Sequence, residues 1–245
     1  MPEQDPVLRE MAAARADVRR RLEAAISAII QLVWAYRSAP FNWEDHPDLD
    51  REVNLILQQL SNGILEDTEA RAKAALEEIG LAEYEDAALE YAKQEIDGED
   101  TLFRLDMHAT HLKDLLAGWL AVAATSKLSS LQTRALIFPY LGNPEGSKLW
   151  RDAGLGHLGW GKGYPANVEN GLTVIAQDLI NRAYQFATLE KYKKTEAIGY
   201  RTERRSGYFC PVCDELTKRI WPLDEIVLPA HPRCVCVAIP VYNEE

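Results

Sequence analysis

The stretch FCPVCDELTKRIWPLDEIVLPAHPRCVC, Phe209 to Cys236, holds all four cysteines of a 245-residue chain and one of its five histidines, His231. Cys210-Pro-Val-Cys213 has the two-residue spacing that lets two thiolates face one ion while the backbone turns between them. After a gap of 17 residues, His231-Pro-Arg-Cys234-Val-Cys236 brings three more donors. Five donors then compete for the four positions of a tetrahedral zinc ion. Cys210 and Cys213 are the secure pair, and His231 with Cys234 makes the commoner second pair. Cys236 is either the substitute for His231 or a buried spare. The rival reading is that these cysteines oxidise in pairs or sit as reduced core thiols. Metal has a physical argument behind it: a lobe of about 40 residues buries too little apolar surface to hold itself together, and a zinc site adds several kcal/mol to folding.

Outward from the cysteines, the residue pattern has the period of strands. Ile198 to Arg201 is expected as one strand, Ile220-Trp221 as a second, and Val235, Val237, Ile239 and Val241 alternate as a third. The Cys210–Cys213 turn is expected to lie between strands. That argues against a redox centre, which places its C-x-x-C at a helix N-terminus in a βαβ setting. Before this lobe runs a helix from about Val168 to Lys191, with Leu172, Ile175, Leu179, Ala183 and Phe186 on one stripe.

The preceding sequence is helical throughout. From Pro6 to about Arg37, the apolar positions Leu8, Met11, Val18, Leu22, Ala25, Ile29, Val33 and Tyr36 recur mostly at three- and four-residue steps. Pro40 and Pro47 forbid its continuation. Asp48 is expected to cap a helix that ends at Ser61-Asn62-Gly63, and a further helix from about Glu66 to close at Gly80. Helices from about Glu83 to Asp97, from Asp100 or Thr101 through Val122, and from Ser129 to about Ile137 complete the series, with a turn at Asp97-Gly98. The expected fold is therefore α+β and mainly α. A helical region covers 1–137, a Gly/Pro/aromatic-rich connecting loop 138–165, and a long helix with a small β-lobe, 196–242, occupies 166–245.

Composition narrows the function. Residues 1–100 hold 10 Lys/Arg against 23 Asp/Glu, and the remainder 17 against 15, giving a net charge of −11. Such a surface is a poor footprint for nucleic acid, which is gripped by clustered cations. A local basic patch of Lys191, Lys193, Lys194, Arg201, Arg204 and Arg205 is the exception, and a solvated face is its simpler reading. No signal-like N-terminus and no membrane-length apolar run is seen, so a reducing cytosol is the expected compartment of synthesis, where close cysteines favour metal over disulfides.

Other motifs are weaker. Gly154, Gly156 and Gly159 form a literal G-x-G-x-x-G, but no strand precedes them, and Trp160 and Tyr164 are expected to pack the loop inward. His108 and His111 share a helix face with Asp106, yet lack a third ligand and are expected at the surface or at a cap. Glu77-Glu78 and Glu83/Glu85 are expected to be solvating charge. None of His46, His108, His111 and His157 opens the H-x-E that a zinc deaminase needs. If His231 and three cysteines close the tetrahedron, no position is left for activated water, and the site is structural.

Three elements in order resemble the phage Mu protein F-like, or head morphogenesis, family of tailed bacteriophages. They are the helix AQDLINRAYQFA (Ala176–Ala187), the strand and turn YRTERRSGYFCPVCDEL (Tyr200–Leu216), similar to a strand leading into C-P-x-C-x-x-L, and LPAHPRCVC (Leu228–Cys236), similar to L-P-x-H-P-x-C-R-C. The resemblance covers about residues 166–240. Gln177-Asp178 stands where the family commonly has an Arg-Thr-Glu run, and Val235 replaces the usual Arg. The resemblance implies a minor head protein, without enzymatic activity, associated with portal and capsid or scaffold proteins. It would reside in the virion or procapsid interior after assembly in the bacterial host cytoplasm, meeting packaged DNA through the basic patch. The alternative function is a metal-dependent nuclease or DNA-binding module of a phage.

Overall fold

The apolar stripe of the first helix decides where its core face lies. Met11, Val18, Leu22, Ala25, Ile29 and Val33 are all buried, whereas Leu8 and Tyr36 at its two ends face solvent, Val7 taking the inward place of Leu8. The structure, a computed structural model, describes residues 5–94, 100–142, 168–205, 210–231 and 234–243. Among these, the element order is α1 (Pro6–Val33), α2 (Pro47–Glu78), α3 (Glu85–Lys93), α4 (Thr101–Thr125), α5 (Ser130–Gly142), α6 (Val168–Lys193), β1 (Ala197–Glu203), α7 (Pro211–Leu216) and β2 (Val237–Tyr242). The protein is mainly helical with a small C-terminal sheet, in keeping with the sequence pattern.

Two departures are informative. Ser61-Asn62-Gly63 does not end a helix; α2 passes through it without a break. Val53, Leu57, Leu60, Ile64, Thr68, Ala72 and Leu76 are buried at three- and four-residue steps on either side of it. A continuous buried stripe outweighs the roughly 1 kcal/mol that one glycine costs in a helix. The helix ends instead at Gly80, whose φ of +72° an L side chain rarely adopts. The second departure is in the lobe: Trp221 makes a single bridge to Tyr200, so among the described residues the sheet has two antiparallel strands and no third.

The chain packs as two compact units. One comprises 16–65 and 102–173. Its core holds Leu22, Ile26, Ile30, Leu57, Leu112 and Trp119, with Lys113 Nζ donating to Asn54 Oδ1 at 2.9 Å and pairing with Asp50. His108 is only 2% exposed, against the surface position expected for it, and its ring fills the space that a side chain at Gly171 would take.

The other unit comprises 1–15, 66–101 and 174–245. Arg71 donates to Glu10 at 2.8 Å, and Arg9 and Glu78 pair through both guanidinium nitrogens. Glu83 pairs with Lys194 and Glu85 with Lys73, so these carboxylates tie elements together as well as solvating them. Arg182, 8% exposed, forks onto carbonyls at the end of α3, those of Ala92 at 2.8 Å, Gln94 at 3.1 Å and Tyr91 at 3.2 Å, the last also accepting from the Gln94 N–H. Four helix-end acceptors have no intrahelical partner, and a buried cation serves them well. Tyr91 stacks on Phe186, ring centroids 4.9 Å apart.

α5 reaches Gly142, so the first residues of the expected connecting loop, 138–142, are helical, and its remainder lies outside the described residues. The turn at Asp97-Gly98, the glycines 154, 156 and 159, His157, Trp160 and Tyr164 lie outside the described residues. No helix among the described residues is long and apolar enough to cross a membrane.

Candidate metal centre

Three short segments deliver the donors. The first is α7, where Pro211 sits in the first turn with its ring-fixed φ and Cys210 stands at the N-cap in extended conformation. Cys210–Cys213 is therefore the start of a helix and not a turn between strands. Proline at the first helical position favours the helix start locally. The redox expectation is not revived by this, because the sheet beside it is antiparallel and two-stranded, with no βαβ unit among the described residues. The second segment is the loop at His231, and the third is the chain of Cys234 and Cys236 entering β2.

Cys213, Cys234 and Cys236 are buried, while Cys210 and His231 are half-buried. His231 Nε2 lies 3.2 Å from Cys210 Sγ and 3.1 Å from Cys213 Sγ, and Cys213 Sγ is 3.9 Å from Cys234 Sγ. The five donors form two groups that share Cys213: Cys210, Cys213 and His231, and Cys213, Cys234 and Cys236, with donor atoms in each group within 4.8 Å of one another. A tetrahedral zinc with metal–sulfur bonds of about 2.3 Å sets its sulfurs about 3.8 Å apart. These groups can hold a metal ion, and thiolate with imidazole suits zinc.

The electrostatics separate the thiols. The backbone N–H of Cys213 at the helix start holds the Cys210 thiol below its ordinary value, with the Cys213 side chain and His231 adding to it. Burial pushes Cys213 up, and burial also raises Cys236. A metal taking this cluster would have to displace protons from those two buried sulfurs if both ligate it.

Behind the donors stands a row of polar groups that the sequence did not single out. Asn181 Nδ2 donates to the carbonyl of Cys234 at 2.5 Å, Gln185 Nε2 to the carbonyl of Cys236 at 2.9 Å, and Tyr192 Oη to that of Ala238 at 3.1 Å. Arg204 pairs with Asp214, next to Cys213. The available signal for the first two was the Asn-x-x-x-Gln spacing inside an otherwise apolar helix face, which marks buried amides with a partner to find.

The basic patch is largely neutralised from within. Lys193 pairs with Glu190, Lys194 with Glu83, Arg204 with Asp214 and Arg205 with Asp5, leaving Lys191 on α6 and Arg201 on β1 exposed. His108 and His111 take no part in the cluster, and burial lowers both, His108 to about 4. The chain matches no family model, no curated protein and no solved structure.

Proposed function

We propose that this protein is a non-enzymatic minor head protein of a tailed bacteriophage, whose C-terminal lobe is clasped by one structural zinc ion. The observation that carries the reading is the meeting of the three family-like elements in one packed site. The AQDLINRAYQFA helix hydrogen-bonds the backbone of the Cys234-Val-Cys236 segment, and that segment shares a donor group with the C-P-x-C helix start. The resemblance concerns their order along the chain; the contacts add that they lie together, which supports reading them as one unit. Cys210, Cys213, His231 and Cys234 are the proposed ligands, because His231 Nε2 already faces two thiols and Cys234 lies one tetrahedral edge from Cys213. With four protein ligands the ion would be closed to water, and its contribution would be to folding.

A phage nuclease or DNA-binding module has less support. Four of the six cations that would meet phosphate are engaged by carboxylates. The experiment that tests the leading reading is mass spectrometry of gradient-purified procapsids and virions from an infected host carrying this gene. The chain is expected at low copy in procapsids. Its absence from particles, together with metal-dependent cleavage of DNA by the purified protein, would overturn the assignment in favour of the nuclease.

A further inference from the structure

We infer that Asn181 and Gln185 of α6 are positioning residues of the metal centre, setting the placement of Cys234 and Cys236 before any ion arrives. The inference rests on the metal reading above and extends it to residues that touch no ion.

β2 has two edges. On one lies β1: Tyr200, which stands opposite Pro240, exchanges its backbone N–H and C=O with Trp221 instead, so the odd-numbered residues of β2 are the ones that turn their backbone groups to β1. The Ala238 carbonyl points to the opposite edge, since backbone groups alternate along a strand, and those of Cys236 and Cys234, in the chain leading into β2, accept on the same side. An uncovered edge would leave them without partners, and α6 fills the place of a third strand with side chains. Asn181, Gln185 and Tyr192 lie on one helical stripe and donate in order to those three carbonyls. Asn181 and Gln185 are 4% and 1% exposed, and the Gln185 amide also donates to Asn181 Oδ1 at 3.2 Å, which orients both.

The consequence for the thiols follows from the same contacts. The sulfurs of Cys234 and Cys236 lie in one donor group with Cys213, so the two side chains turn to a common side. Fixing both carbonyls therefore fixes the direction of both Cβ–Sγ arms toward Cys213, the sulfur shared by the two donor groups. Tyr192 holds the same strand in the same way, but at Ala238, which has no donor side chain. It is a built-in control: a residue that contributes to docking without touching a ligand's backbone.

The test measures zinc affinity of the full chain by chelator competition, with the cobalt-substituted protein read by its thiolate-to-cobalt absorption. Asn181→Ala and Gln185→Ala are expected to lower zinc affinity about 10- to 100-fold, the usual effect of losing an outer-shell partner, and to alter the cobalt spectrum. Tyr192→Phe is expected to lower thermal stability while leaving affinity within about twofold. Gln185→Met, which keeps the volume and removes the donor, serves if the alanine variants fail to fold. Unchanged affinity and spectrum in folded Asn181 and Gln185 variants would overturn this inference alone. An equal loss of affinity in Tyr192→Phe would overturn it too, by reducing the effect to general docking. Failure of the unsubstituted protein to bind zinc or cobalt would instead remove the metal reading itself.

Discussion

Cys213 belongs to both donor groups, and its neighbours differ in what they hold besides a metal. It is buried at the third residue of α7, with His231 Nε2 on one side and Cys234 Sγ on the other. Cys213→Ser should therefore abolish metal binding whichever fourth ligand is used. Loss of a structural metal is among the few single changes that cost more than about 4 kcal/mol, and for a chain of this size each kcal/mol moves Tm by about 2–4 °C. A fall of about 10 °C with loss of bound zinc is the expected outcome, read by metal analysis and thermal melting. Cys236→Ser should keep its zinc if His231 is the fourth ligand, and a metal-free Cys236→Ser protein would move the assignment to Cys236. Arg182 makes a separate claim at this scale. Arg182→Lys retains the charge but cannot fork onto the three α3 carbonyls, so it should cost about 1.5–3 kcal/mol by chemical denaturation.

α6 shows why an element can be found in a sequence while its role is not. Its apolar period announces a helix, and Leu172, Ile175, Leu179 and Ala183 are buried as that period requires. The partners of Asn181, Arg182 and Gln185 are 53, 90 and 51 residues away in the chain, and no local pattern specifies them. The same limit explains Glu78 and Glu83, legible as charges but not as partners of Arg9 and Lys194. Conversely, the donors of the metal centre were legible because close Cys/His spacing is itself the chemistry. The short helix α7 was not, since six residues carry too little period to be told from a turn.

Two glycines give a matched test of how much context overrides propensity. A Cβ at Gly63 would meet only the far end of the Arg21 guanidinium, at 2.3 Å, which a flexible side chain can vacate. Gly63→Ala should therefore stabilise α2 by about 0.5–1 kcal/mol. A Cβ at Gly171 would lie 2.3 Å from Cε1 of His108, within a buried ring that has no such freedom. Gly171→Ala should destabilise by about 1–3 kcal/mol despite its better helix propensity. Denaturant midpoints of the two variants should move in opposite directions; movement of both upward would show that the His108 ring yields.

At the scale of the whole molecule, the charge pattern and the response to acid meet in His108. The acidic first hundred residues are partly balanced by cations far along the chain, as Lys194 balances Glu83. Glu78 and Glu83 are both held below the ordinary carboxylate value by hydrogen bonds from Arg9 and Lys194. Their stabilisation is present above the unfolded carboxylate value, about 4.5, and fades only as pH falls through the lower folded values. His108 acts earlier. Burial, with help from His111 and Arg104, lowers it to about 4 from 6.5, so the folded state keeps the ring neutral where the unfolded chain protonates it. The unfolded state then binds more protons between those two values, and stability declines as pH falls through that window, by about 3 kcal/mol in all. Above pH 6.5 the contribution is complete, because neither state is charged. His108→Leu removes the proton-binding group and should flatten the upper part of the decline while leaving the carboxylate part below it. Melting curves across pH 4–8 for both proteins in excess chelator, which removes proton competition at any bound metal, check this directly. Parallel curves for the variant and the parent would mean that His108 is protonated in the folded state as readily as in the unfolded one. That would require water or an acidic partner to reach a ring that the packing against Gly171 encloses.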